Sequence, residues 1–117
     1  MSNPVTEFND YRSRMNERLL DDGSTLLKRI FSLDNQAYQK GKLNVATKEL
    51  LGLVASAVLR CDDCVKYHLE NCYKEQLSKT AVMEALEIAT LVGGTIVIPH
   101  LRRAFEYWEA LESNSKK

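Results

Sequence analysis

The chain has 117 residues, sixteen basic side chains balancing sixteen acidic ones, and an apolar share of 44%. That length bounds it to a single domain, residues 1–117, with a core large enough to fold but not generous. The balanced charge removes the electrostatic reason to expect nucleic acid or an anionic membrane surface as partner.

The N-terminal segment MSNPVTEFNDYRSRMNERLL lacks the apolar core of a signal peptide, and the longest apolar stretch, LLGLVASAVL, falls well short of a bilayer span. A soluble, cytoplasmic protein is expected. Within the first segment Phe8, Tyr11, Met15 and Leu19 recur at helical spacing as a narrow stripe, and Asp21-Asp22-Gly23 breaks it. So narrow a seam suits either another subunit or the chain's own domain. Ser24 then reads as the N-cap of a helix carrying Leu27, Ile30, Phe31 and Tyr38 and ending at Gly41. A third helix, from about Ala46 or Thr47 to Arg60, has so little polar face that burial nearly all round is expected. A fourth starts around Cys61–Asp63 and runs to Glu75. Ser78 caps a fifth that buries Val82, Ala85, Leu86, Ala89 and Val92 and stops at Gly93-Gly94. The last begins near Thr95, with Pro99 tolerable only in its first turn, and carries Leu101, Phe105, Trp108 and Leu111. With no hairpin signal anywhere, the fold class is all-α: one bundle of about six helices.

The chemistry concentrates in LRCDDCVKYH, residues 59–68. On a helix, Cys61, Cys64, Val65, His68 and Cys72 share one face, which is expected to point inward. The bland reading is that cysteine is a small hydrophobe and a buried histidine a satisfied core residue. Against it, the pair lies at a helix start, where unpaired amides favour a thiolate. His68 stands one turn from Cys64, in reach of its proton, while Asp62 and Asp63 oppose a thiolate nearby.

Glu49 opens the greasy third helix, and alone it is most simply a solvated first-turn residue. If helices three and four form an antiparallel hairpin turning near residue 61, however, Glu49 lies about 18 Å back along one arm and His68 about 10 Å along the other. The offset of roughly 8 Å is what the two side chains can bridge, directly or through a water. Glu49 could then fix the imidazole tautomer and share its proton.

The pattern Glu-x11-Cys-x2-Cys-x3-His resembles the carboxymuconolactone decarboxylase superfamily, and more closely its alkylhydroperoxidase D-like branch, over roughly residues 30–105. The resemblance implies an all-helical homo-oligomer, a trimer or hexamer, whose cysteines cycle between dithiol and disulfide without a cofactor. In it Cys64 would attack a peroxide or disulfide substrate, Cys61 would resolve, and His68 and Glu49 would form a proton relay. An external dithiol, by the same resemblance of lipoyl type, would return the pair to thiols. Where alkylhydroperoxidase D has a histidine before the second cysteine, this chain has Asp63, which the comparison reads as weaker peroxidase activity.

Three other readings stand beside it. Cys61, Cys64 and His68, with Cys72 or His100, could form a structural zinc site. Residues 61 and 68 lie about 10 Å apart along one helix, which makes closure on one metal marginal, so no metal is expected. A cofactor-free decarboxylase or isomerase fits less well, because those relatives lack the cysteine pair. A non-catalytic oligomer is the third.

Overall fold

The computed structural model describes residues 3–115. Among them are six α-helices and no strand: α1 (Pro4–Asp22), α2 (Thr25–Ala37), α3 (Val45–Val58), α4 (Asp62–Lys74), α5 (Lys79–Gly93) and α6 (Ile98–Ser115), with a 3-10 turn at Thr95–Val97. The all-α expectation holds. Local chemistry sets most of the boundaries. Side chains of Asn3, Ser24, Asn44 and Ser78 each accept an orphan amide at a helix start. Gly94, at φ +87°, ends α5 in a conformation that only glycine adopts without strain. Helix α2 ends at Ala37, four residues before the expected Gly41, with Tyr38 as its cap.

Helices α3 and α4 form the central antiparallel hairpin, with α5 packed on α3 and α6 on α4. The reversal between them is short. Arg60 takes a left-handed φ of 62°, and the amide of Cys61 bonds back to the Ser56 carbonyl at 3.0 Å. This is a Schellman closure of α3 with a non-glycine residue at the left-handed position, at a cost of about 1 kcal/mol. It delivers Cys61 directly to the start of α4. Leu53, Leu69, Leu86, Val82 and Val97 are fully buried where α3, α4, α5 and the 3-10 turn meet.

Two expectations about burial need correction. Helix α3 is not buried all round: Leu51, Ala55 and Leu59, one turn apart, form an exposed strip, because α4 and α5 cover only part of its circumference. Val92 of α5 is exposed for the same reason. Of the stripe on α1, only Phe8 packs on the core of its own domain, while Tyr11 and Leu19 stay exposed. Phe8 packs edge-on against the buried Tyr107 of α6, ring centroids 6.1 Å apart.

Candidate functional site

Cys61 is the N-cap of α4, and its sulfur accepts the Cys64 amide at 3.3 Å. Asp62 and Asp63 occupy the first turn, where the helix dipole favours carboxylates. The two cysteines are joined as a disulfide with Cα atoms 5.3 Å apart, inside the range such a bridge requires. The expectation that the whole cysteine-histidine face points inward holds only in part. Val65, His68 and Cys72 are buried, Cys61 is half-buried and Cys64 is exposed. The helix begins at Asp62, so its first turn stands proud of the core and turns Cys64 to solvent.

One turn on, His68 is only 7% exposed and Glu49 only 4%. They meet directly, Nδ1 to Oε1 at 2.8 Å, with no water between, and Asn71 Nδ2 donates to the same oxygen at 3.3 Å. An ionised carboxylate only accepts, so the Nδ1 proton points at Glu49 and the Nε2 lone pair faces away. The hydroxyl of Tyr38 lies 3.4 Å from Nε2. The ring is boxed as well: Tyr38 and Tyr67 each stack or abut it at 5.2 Å between centroids. Gly52 of α3 lies beneath, where an added Cβ would come within 2.6 Å of the imidazole.

Cys64 and His68 open on one cleft of about 490 Å³ whose other wall is the α1 stripe of Tyr11, Met15 and Leu19. Antiparallel contacts set the register of α1 on α4. Asn9 Nδ2 donates to Glu70 at 2.8 Å, and the Arg12 guanidinium covers the Tyr67 ring at 4.2 Å. One further turn brings Met15 level with Cys64. The cleft therefore has the apolar side chains of α1, with Arg12 and Asn16 beside them, on one wall and Cys64 and His68 on the other.

The charges beside the sulfurs are partly compensated. Burial acts to raise the Asp62 carboxyl, but hydrogen bonds from His100 and Arg103 outweigh it and hold the group below the usual range. His100 Nδ1 and Arg103 Nε each reach an Asp62 oxygen at 2.7 Å. This clamp ties α6 to the start of α4. Cys72 is a different sort of thiol. Burial, then the charges of Glu49 and Glu75, push it up to about 12.

Among the described residues, no group of three or more His, Cys, Asp or Glu side chains is arranged to hold a metal ion. The residues of the zinc alternative are spoken for: the two sulfurs bond each other, His68 bonds Glu49, and His100 bonds Asp62. Sequence reasoning brought Glu49, Cys61, Cys64 and His68 to one place but missed Tyr38, Asn71 and Gly52. Asn71 sits three residues after His68 on the same face, a signal that was legible. Tyr38 arrives from another helix, thirty residues away, and no local pattern marks it.

The profile of the carboxymuconolactone decarboxylase family matches residues 25–107. The chain belongs to this family. A crystal structure of a Thermotoga maritima protein is 53% identical, with a TM-score of 0.92 over 94% of this chain and 96% of that one. A second structure of the same protein gives 52% identity and a TM-score of 0.90 over 94% and 93%. It is described as a carboxymuconolactone decarboxylase family protein with a suggested involvement in antioxidative response. A family member from Legionella pneumophila, solved in its apo form, is 25% identical with a TM-score of 0.79 over 96% and 97% of the two chains. An uncharacterized protein of Cupriavidus necator is 30% identical over 77 residues, covering 66% of this chain and 68% of that one. The cysteine pair places this chain with the Cys-x-x-Cys branch of the family. None of its helices is long and apolar enough to cross a membrane, among the described residues.

Proposed function

We propose that the chain is a thiol-dependent oxidoreductase that cycles Cys61 and Cys64 between dithiol and disulfide, with a peroxide or a disulfide as oxidant. One observation carries this reading. The exposed Cys64 opens on the same cleft as an imidazole whose far nitrogen is held by a buried carboxylate at 2.8 Å, while Cys61 stands in bridging distance. The antioxidative role suggested for the Thermotoga maritima relative points the same way.

In the reduced protein the Cys64 proton passes to His68 Nε2, and the resulting imidazolium is stabilised by Glu49. The Cys64 thiolate attacks one peroxide oxygen, the O–O bond breaks, and the departing alkoxide or hydroxide takes the proton from His68. Cys64 is now a sulfenic acid. The Cys61 sulfur displaces hydroxide from it, which leaves as water, and the disulfide forms. An external dithiol, of lipoyl type by family resemblance, returns the pair to thiols by two exchange steps and is itself oxidised to a disulfide. Each turnover converts peroxide and dithiol into alcohol, water and disulfide. With a disulfide as substrate, the same thiolate forms a mixed disulfide that Cys61 resolves.

The test is a thiol count of the fully reduced protein before and after one equivalent of peroxide, with peptide mapping of any bridge. Loss of two thiols into a Cys61–Cys64 link, restored by dihydrolipoamide, is expected. Two free motif thiols after oxidant, or a bridge through Cys72, would remove the reading.

A further inference from the structure

Two carboxylates crowd the sulfurs at the start of α4. Asp62 follows the N-cap Cys61 directly, and Asp63 lines the cleft beside Cys64. Negative charge so close disfavours a thiolate. Of the two, it is Asp62 that α6 meets: His100 Nδ1 and Arg103 Nε each lie 2.7 Å from one of its oxygens. An acid in a first turn needs no such partner, since the helix dipole already favours it. Nor do α4 and α6 depend on this contact to pack, for Tyr73 meets Trp108 edge-on at 5.3 Å further along. The Asp62 and Arg103 side chains are one-third and one-half exposed, and an ion pair so wet adds little stability. What the pair does change is the charge at Cys61, one residue away, where the distance is too short for salt to screen it fully.

We propose that Asp62, His100 and Arg103 set the reduction potential of the Cys61–Cys64 couple, the guanidinium cancelling the carboxylate that the helix start places beside the sulfurs. The proposal rests on the thiol-cycle reading above and names the residues that tune it. They act through charge and are positioning residues. In the exchange concerned, the Cys61 and Cys64 thiols give up two electrons and two protons and become the disulfide, while a disulfide of lipoyl type becomes two thiols. The protein disulfide carries no charge, whereas the reduced pair is negative once a thiol ionises. Net positive charge at the clamp therefore favours the reduced pair and raises the potential, and net negative charge lowers it.

Burial acts to raise the Asp62 carboxyl, but the His100 and Arg103 hydrogen bonds hold it below the usual range, so it is ionised at pH 7 and at pH 9. The other charges around the pair are Arg60 and Asp63 beside it, Arg12 and Asp34 across the cleft, and the His68–Glu49 couple one turn on. Lys66 and Glu106 share a hollow with Arg103. All of these are common to the variants compared, so the differences between variants report the clamp. A unit charge about 7 Å away in a partly wet setting changes such an equilibrium by about threefold to tenfold, which is about 15–30 mV for two electrons.

The full-length protein is equilibrated with mixtures of dihydrolipoamide and lipoamide at pH 7 and pH 9, and its oxidised fraction is read by mass after acid quenching and maleimide trapping. Asp62→Asn, which strands the Arg103 charge, should move the equilibrium about threefold to tenfold toward the dithiol. Arg103→Gln, which strands the Asp62 charge, should move it by a similar factor toward the disulfide, and the double variant should return close to wild type. The split should be wider at pH 9, where more thiolate is present. A purely structural clamp gives another pattern, since both single variants open the same contact and both shift the same way. Arg103→Lys keeps the charge and should recover at least half of the Arg103→Gln shift, which decides the matter if Asp62→Asn fails to fold. Single variants that shift the equilibrium in one direction, or not at all, overturn the proposal alone. A wild-type pair that does not exchange with lipoamide overturns the thiol cycle and this proposal with it.

Discussion

Replacing Gly52 by alanine probes the packing that holds His68. An alanine Cβ at this position would lie 2.6 Å from Cε1 and 2.7 Å from Nε2 of His68, and 2.7 Å from the Tyr38 hydroxyl. Comfortable contact needs about 3.5 Å or more, so each neighbour must move by most of an ångström. The ring has little room to yield, since it is tied to Glu49 and flanked by Tyr67. Alanine in a helix interior gains about 0.8–1.0 kcal/mol over glycine, while overpacking costs about 1–3 kcal/mol. The balance runs from about zero to about 2 kcal/mol of destabilisation, or a fall in Tm of up to about 10 °C for a domain of this size. On the proposed thiol cycle the effect on chemistry should be larger, because displacement strikes the imidazole assigned to take the Cys64 proton; Cys64 labelling should slow by about tenfold or more. Thermal unfolding by circular dichroism and iodoacetamide labelling against pH measure the two. A variant more stable than wild type with an unchanged Cys64 rate would show that the imidazole is not confined as described.

In the reduced protein, Cys64→Ser should abolish sulfenic acid formation, while Cys61→Ser should leave a sulfenate on Cys64 that dimedone traps; a sulfenate trapped on Cys61 instead would reverse the assignment, which the N-cap position of Cys61 makes a sharp test. Cys72, pushed up to about 12, should resist labelling at pH 8 until the protein is unfolded, and early labelling there would contradict its burial. The same thiol bears on stability. In the fold it stays protonated up to about 12, whereas in the unfolded chain it ionises from about 9.0. The unfolded state therefore gains as pH rises through that window, and Cys72→Ala should flatten the alkaline fall in Tm. At the acid end the sign is opposite. Asp62 is held below its usual 3.8 by His100 and Arg103, so its contribution is present above that value and lost as pH falls through the lower folded one. Asp62→Asn should lower Tm at pH 6 and leave a shallower acid decline, and an unchanged profile would mean that the clamp carries no stability.

What the sequence alone determined was whatever short-range chemistry sets. Ser24 and Ser78 cap helices because a hydroxyl accepts an orphan amide two or three residues on. Gly94 ends α5 because its φ of +87° suits no other residue, and Pro99 falls in the first turn of α6. The meeting of Glu49 with His68 was also legible, since a hairpin turning at residue 61 converts sequence distance into height along two helices. That arithmetic left the lateral gap open, and packing closed it to a direct 2.8 Å contact. The tertiary structure alone decided how the site is finished. Cys64 is exposed and Cys61 half-buried because α4 starts at Asp62, two residues after a left-handed Arg60. Tyr38 meets His68, and His100 meets Asp62, across 30 and 38 residues of chain. Such pairs depend on where whole helices come to rest. Periodicity reports which face of a helix is apolar, but not which neighbour will cover it.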